Sequence, residues 1–476
     1  MDGPALRQAT DGARGRAAVV GGGPAGLAAA ISLANRNFSV LILEKQASPT
    51  PEAQVRPRSY VYGINTRGQW ALDQMGLRRP GQEGEEAAEI NGLRIGFSKF
   101  GRARKGGPSK IKRAKALSTV WAERACIVDY LSNEARRQHH DRITTQWGCS
   151  LLDLNTLSST VTYSTAAGDT RRDSFDLIVG ADGANSAVRA AMHRQDPQLQ
   201  VTHLPARRRY KPFYGLKAEG DWVPAPPQGT VVSFITAPTH LMILWKGPAD
   251  TVSGLIGASE HFMLQPRTKQ DWLQLLETYH PELPSHWMTS AAEQLQEAKA
   301  ARAASSVKCS YIVQSRTVLI GDAAHACTPN MGQGVNTAME DAVQLAEAIQ
   351  ACRYDVPAGL QRFQDERLPE MHAMHQLDLN VDARYGMQGK LHPEFLVSMA
   401  TFVFWGTLTK IFPQVQLPPT MASNRASVSF QKVVASIRAH KAAVGAILGS
   451  ALILLARWVV LLSLQGTVRL PGLSPA

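Results

Sequence analysis

Apolar positions between residues 16 and 45 fall into three blocks. Ala17 to Val20 is a short continuous run, Leu27 to Ala34 an alanine-rich run of helix length, and Val40 to Leu43 a second short run. Short unbroken apolar runs read as buried strands, and the longer run between them as the connecting helix. The order is therefore strand, tight turn, helix, strand. The same pattern returns at 173–192, DSFDLIVGADGANSAVRAAM, and at 315–349, where a strand leads through a loop into a long helix. From about residue 207 to 263 it changes to short β-rich runs, GTVVSFITA, HLMILWKG and DTVSGLIGA, separated by turn residues; these predict an antiparallel sheet inserted into the first domain. WLQLLETYHPELPSHW then reads as helical. The C-terminal part is helical and holds two apolar blocks, 394–409 and 442–464.

The second block would span about 34 Å as a helix, at ~1.5 Å per residue. Arg438 and Lys441 precede it, so it is expected to be a transmembrane tail anchor with the lipid bilayer as partner. Arg457 within it is the objection, since a charge in hydrocarbon is costly unless it snorkels. The first block is expected to be a buried or interfacial helix.

Net charge changes the picture only modestly. The 476 residues carry a formal charge of +12. That favours anionic cofactors or an anionic membrane. No aromatic-basic motif accompanies the charge, so nucleic acid is not expected as a partner. The basic run GRARKGGPSKIKRAK, 101–115, reads as a solvated loop. Five cysteines, with no metal-ligand spacing, point to reduced thiols, an intracellular setting and no metal site.

The turn Gly21, Gly22, Gly23, Pro24, Ala25, Gly26 matches GxGxxG in its proper context. Gly21 permits the turn, Gly23 lets backbone approach a pyrophosphate, and Gly26 lets the helix pack on the sheet. Glu44, at the end of the next strand, can accept from ribose hydroxyls. This motif alone does not separate NAD from FAD. GDAAHACTPNMGQGVN does: Asp322, at a strand end, can hold a polyol chain such as the ribityl of a flavin. The loop Pro329 to Gly334 then opens a helix whose N-terminus can stabilise negative charge on a reduced flavin ring. A third motif, ADGANSAVR, puts Asp182 and Gly183 at another strand end. His325 and Cys327 invite a catalytic reading, but oxygen chemistry needs a cofactor rather than a side-chain nucleophile. His325 is expected to be a packed, hydrogen-bonded loop residue, and no side chain is expected to act as nucleophile.

With GGGPAG, ADGANSAVR and GDAAHACTPNMGQGVN in this order, the chain resembles the single-component, class A FAD-dependent aromatic hydroxylases over roughly residues 16 to 375. The resemblance implies an α/β fold: a glutathione-reductase-like FAD domain, an inserted antiparallel substrate domain and a helical, membrane-anchored C-terminus. The corresponding segments are a tail at 1–15, FAD-binding parts at 16–200 (with substrate-domain strands near 60–115) and 305–375, a substrate sheet at 201–304, helices at 376–441 and the anchor at 442–464. It further implies FAD as cofactor, and NADPH or NADH with O2 as cosubstrates. The implied reaction is hydroxylation of a small aromatic substrate through a flavin C4a-hydroperoxide. Gly21, Gly23, Gly26 and Glu44 would hold the ADP half of FAD, Arg124 would contact FAD, and Pro24, Ala25, Lys45 and Arg58 would also bind the cofactor. Asp182 and Gly183 would serve FAD and NAD(P)H together. Asp322 would bind ribityl, with Pro329, Gly332, Gly334, Val335 and Asn336 near the flavin ring.

A narrower resemblance is to the kynurenine 3-monooxygenases, through RSYVYGINTRGQWALDQMGL and LRIGF. It implies L-kynurenine as substrate, Arg94 on the substrate carboxylate through bidentate hydrogen bonds, Asn380 nearby, and the mitochondrial outer membrane. Two tyrosines expected from that resemblance are absent. Two other readings stay open: an FAD-dependent reductase or epoxidase acting on a membrane-embedded isoprenoid, and a non-catalytic FAD-bearing membrane protein.

Overall fold

The computed structural model describes residues 12–47, 61–78, 89–90, 93–96, 98–104, 107–113, 119–206, 208–217, 231–236, 240–246, 251–302, 305–385 and 428–464. The chain divides into two compact units, 1–389 with 424–427 and 390–423 with 428–476.

The first unit is built on a six-stranded sheet. Its order is Val313–Gln314, Thr317–Leu319, Leu177–Gly180, Arg16–Val20, Ser39–Glu44 and Ile143–Trp147. Every pairing is parallel except the outermost one at 313–314. Strands Arg16–Val20, Ser39–Glu44 and Leu177–Gly180 are buried along nearly their whole length, which is why they read as unbroken apolar runs. Helices Pro24–Ala34 and Gly334–Ala351 pack against each other and share this core with helix Arg124–His139.

A four-stranded sheet, Val61–Ile64, Thr119–Glu123, Leu93–Gly96 and Glu89–Ile90, adjoins that core. A seven-stranded sheet follows, ordered Ala301–Arg302, Arg208–Lys217, Thr251–Ser259, His240–Lys246, Val231–Thr236, Ser98–Arg104, Gly107–Arg113. It is covered by helices Lys269–Tyr279 and Ser285–Glu297, whose Trp272, Leu276, Trp287 and Leu295 are buried in a second core. This sheet is antiparallel apart from one pairing: Ser98–Arg104 runs parallel to Val231–Thr236.

One expectation needs correction, one sheet was not expected, and one expectation finds no support. The basic run 101–115 is not a solvated loop. Residues 98–104 and 107–113 form a hairpin at the edge of the seven-stranded sheet. Residues 150–174, which gave no expected element, form a three-stranded antiparallel sheet. The expected membrane anchor and bilayer partner find no support: among the described residues no helix is long and apolar enough to cross a membrane. Residues 442–464 belong to one helix, Phe430–Leu464. The block at 394–409 lies outside the described residues.

Candidate active site

Four of the parallel strands end at one edge. Val20 lies beside Leu43 on one side and Gly180 on the other, and Gly180 lies beside Leu319. The glycine turn, Glu44, Asp182 and Asp322 therefore emerge side by side. Ligands of open α/β sheets bind outside the carboxyl ends of strands, at this kind of edge.

The turn is fixed by contacts that leave no space for side chains. Gly21 has φ +109°, and a Cβ on Gly26 would lie 1.9 Å from the Gly21 carbonyl oxygen. Pro24 takes the first helical position, where its missing N–H costs nothing. Glu44 accepts from Gly22 N at 2.6 Å and Gln46 N at 2.8 Å, holding the turn against the second strand. Lys45 follows as an exposed residue. A Cβ at Gly23 would meet only Arg124 Nη2, 3.8 Å away. The guanidinium of Arg124, at the first position of its helix, thus stands over the open face of the turn.

Asp182 is tied to the helix that follows it: its Oδ2 accepts from Ala187 N at 2.6 Å and Val188 N at 3.2 Å. Its Oδ1 is shut off from solvent with no protein hydrogen-bond partner. Burial pushes the Asp182 carboxyl upward, against the pull of its hydrogen bonds. Gly183 beside it has φ +84°. Asp322 is open to solvent yet deeply surrounded by protein, the floor of a recess. The surrounding protein pushes its carboxyl up, and His325 and Arg124 oppose that push. Gly321 stands 3.0 Å, measured from a built Cβ, from Ala25, so the first and second motifs meet.

The loop after Asp322 starts with a 3-10 turn at Pro329–Met331 and is closed by Gly332 at φ +61°. A Cβ on Gly334 would meet only Cys327 Sγ at 3.7 Å and Asp322 Oδ1 at 4.0 Å, so the helix N-terminus faces the recess. Val335 packs on the core. The side chain of Asn336, expected near the flavin ring, is held by protein partners. Its Nδ2 donates to Gly63 O at 2.9 Å and Gly332 O at 2.8 Å, and its Oδ1 accepts from Asn65 N at 3.0 Å. It is fully buried and fastens the loop to strand Val61–Ile64. Arg58 lies outside the described residues. Arg94 and Asn380 lie in a strand and a helix whose backbones are described, but their side chains lie outside the description.

A family profile described as FAD binding domain matches residues 15–378. The chain belongs to this family of FAD-dependent monooxygenases. Similar relatives include kynurenine 3-monooxygenase of Xanthomonas oryzae pv. oryzae (strain PXO99A), 27% identical over 386 residues, covering 76% of this chain and 77% of that enzyme. The Sus scrofa kynurenine 3-monooxygenase is 26% identical over 389 residues, covering 76% and 74%. Among solved structures, Klebsiella pneumoniae HpxO complexed with FAD and uric acid superposes with TM-score 0.59 at 18% identity, covering 88% of this chain and 97% of that one. A mutant of P. aeruginosa PqsL superposes at 0.60, with 14% identity and coverage of 78% and 96%. At these identities the structures establish the fold.

FAD is the cofactor of this family, and the residues at the edge fit it. The cation over the glycine turn suits a pyrophosphate, and the unpartnered Asp182 oxygen and the recessed Asp322 suit hydroxyl donors. Replacing Arg124 with Met is expected to weaken FAD binding about tenfold to a hundredfold, with thermal stability of the apoprotein unchanged. Fluorescence titration of apoprotein with FAD checks this; equal affinity would remove Arg124 from the site.

Sequence reasoning missed two supports. Arg189 is buried and donates to Ala184 O at 2.6 Å and Ala323 O at 2.7 Å, joining the Asp182 and Asp322 loops. Its place within ADGANSAVR was a usable signal. The second is a buried chain of charges. Glu340 pairs with Arg67 at 2.5 Å and Arg367 at 2.6 Å, and Asp341 pairs with Arg367 and His325, each at 2.6 Å. The adjacent acids of MEDA on an otherwise apolar helix hinted at it.

Proposed function

We propose that this chain hydroxylates a small aromatic acid, with L-kynurenine the first substrate to test. FAD reduced by NAD(P)H supplies the oxygen-activating chemistry, and the protein supplies its position, a pocket that excludes water and the orientation of the ring. The observation that carries the reading is a row of residues across the four-stranded sheet. Arg94 is directly opposite Trp121, and Trp121 is directly opposite Gly63. Gly63 in turn accepts from Asn336 in the loop after Asp322. An arginine therefore occupies a register position two strands from the flavin-side loop, directly across the ladder from Trp121. That placement suits a carboxylate held by bidentate hydrogen bonds while the ring reaches toward the cofactor.

The test is the rate at which NADPH bleaches the flavin, with and without L-kynurenine, in the native protein and in Arg94→Met. Native protein is expected to respond to kynurenine. Arg94→Met is expected to need about 10- to 100-fold more of it, with FAD content unchanged. A native flavin that kynurenine does not affect would end the kynurenine assignment.

A further inference from the structure

The strand Thr119–Glu123 has two faces. Val120 and Ala122 are buried in the core of the FAD-binding part, whereas Trp121 is turned the other way and packs against the cluster of Tyr210, Trp245 and Leu255. This second face fills the layer between the four-stranded and seven-stranded sheets. Trp245 donates its indole N–H to Glu123 Oε1 at 3.2 Å, which fixes the two sheets to each other. Gly63 is required beside the ring: a Cβ there would lie 2.8 Å from Trp121 Cζ3.

Within this layer the Nε1 of Trp121 is shut off from solvent and has no hydrogen-bond partner. A buried indole N–H ordinarily finds an acceptor, because leaving it unmatched costs stability. The indoles of Trp245 and Trp287 do find one, the latter at Lys217 O, 2.7 Å away. Trp272 Nε1 also lacks a partner, but that ring is fully enclosed in the helix-covered core. Trp121 is only half-buried, and its neighbour across the ladder is Arg94. A donor without a partner, on a face lined with aromatic rings and directly across the ladder from the backbone position of an arginine, is suited to an anionic oxygen attached to an aromatic ligand.

We infer that Trp121 is a specificity-determining residue that donates its indole N–H to the carboxylate of the substrate, next to Arg94. The inference rests on the proposed function and adds to it a second recognition group, neutral and directional, on the same anion. Arg94 supplies the charge and Trp121 fixes which oxygen faces which way. Trp121 is thereby a reason for this site to prefer aromatic acids over the corresponding amines and phenols.

The test uses FAD-loaded native protein, Trp121→Phe and Gly63→Ala. Phe keeps a ring on the sheet and deletes the N–H; the alanine methyl displaces the indole without altering it. Binding of L-kynurenine, of anthranilate and of kynuramine, which lacks the carboxylate, is read from perturbation of the flavin spectrum. Flavin content and melting temperature serve as controls. The expected result is that Trp121→Phe raises the dissociation constants for kynurenine and anthranilate about tenfold or more. It should leave kynuramine binding and the turnover number at saturation within about twofold, and Gly63→Ala should move in the same direction. Kynurenine and anthranilate binding within twofold of native in both variants would overturn the role of Trp121 while leaving the proposed function standing. So would an equal loss for kynuramine, which would make the ring a packing element only. Native protein that binds neither acid would overturn the proposed function and this inference together.

Discussion

Gly26→Ala is expected to abolish FAD binding, with affinity falling at least about a hundredfold and the FAD-binding part destabilised by ~2–3 kcal/mol. The added Cβ would stand 1.9 Å from the Gly21 carbonyl oxygen and 3.1 Å from Val19 Cγ1. No rotamer relieves a Cβ clash with backbone, so the helix must move away from the strand that ends at Val20. That movement displaces the helix N-terminus from the turn, and the amides facing the pyrophosphate move with it. Flavin absorbance of the purified variant, followed by titration of its apoprotein, reads the loss. Retention of FAD at native affinity would mean that the turn tolerates displacement and is not the pyrophosphate cradle.

Arg367→Met is expected to cost about 3–5 kcal/mol of stability. Arg367 is buried between two carboxylates, donating to Asp341 Oδ1 and to Glu340 Oε2. Glu340 retains Arg67 after the substitution, whereas Asp341, fully buried, is left without a guanidinium and keeps its hydrogen bonds with His325 and the Gly321 N–H. Burial alone would raise the Asp341 carboxyl; His325 and Arg367 outweigh it and hold the group below the usual carboxylate range. A carboxylate depressed in the folded state contributes stability that is fully present above its unfolded pKa of ~3.9 and is lost as pH falls through the folded value. Native protein should therefore lose stability from this group only below about pH 4. In Arg367→Met that acid-side loss should become shallower, because Asp341 has less depression to lose. Chemical unfolding at pH 7 and at acidic pH separates the outcomes. An unchanged unfolding free energy at pH 7 would show that the network is dispensable.

The parts that carry the cofactor were legible because their pattern is local. The runs at 17–20, 40–43, 177–180 and 317–319 are buried on both faces, so the strands announce themselves without knowledge of their partners. The turn and loop glycines are legible for the same reason: each is demanded by geometry within a few residues. The hairpin at 98–113 was not legible. Its Lys, Arg, Gly and Pro read as loop, and it is a pair of strands because residues 98–102 pair with 231–235, far along the chain. Arg67 is a comparable case. In TRGQW it looks like a surface cation, yet it is 2% exposed because Glu340 lies opposite. The engagement of the Asn336 amide by Gly63, Gly332 and Asn65 was not legible either, because two of these come from a segment some 270 residues earlier. The apolar length of 442–464 suggested a span, which finds no support among the described residues.

The central claim is that this chain carries out FAD-dependent hydroxylation of an aromatic ring. The most direct measurement is incubation of FAD-loaded protein with NADPH, L-kynurenine and isotopically labelled O2, with the product analysed by mass spectrometry. The account predicts a hydroxylated product carrying one labelled oxygen, formed together with NADPH consumption. Consumption of NADPH with all of the labelled oxygen recovered as peroxide or water, for kynurenine and for a panel of other aromatic acids, would contradict it.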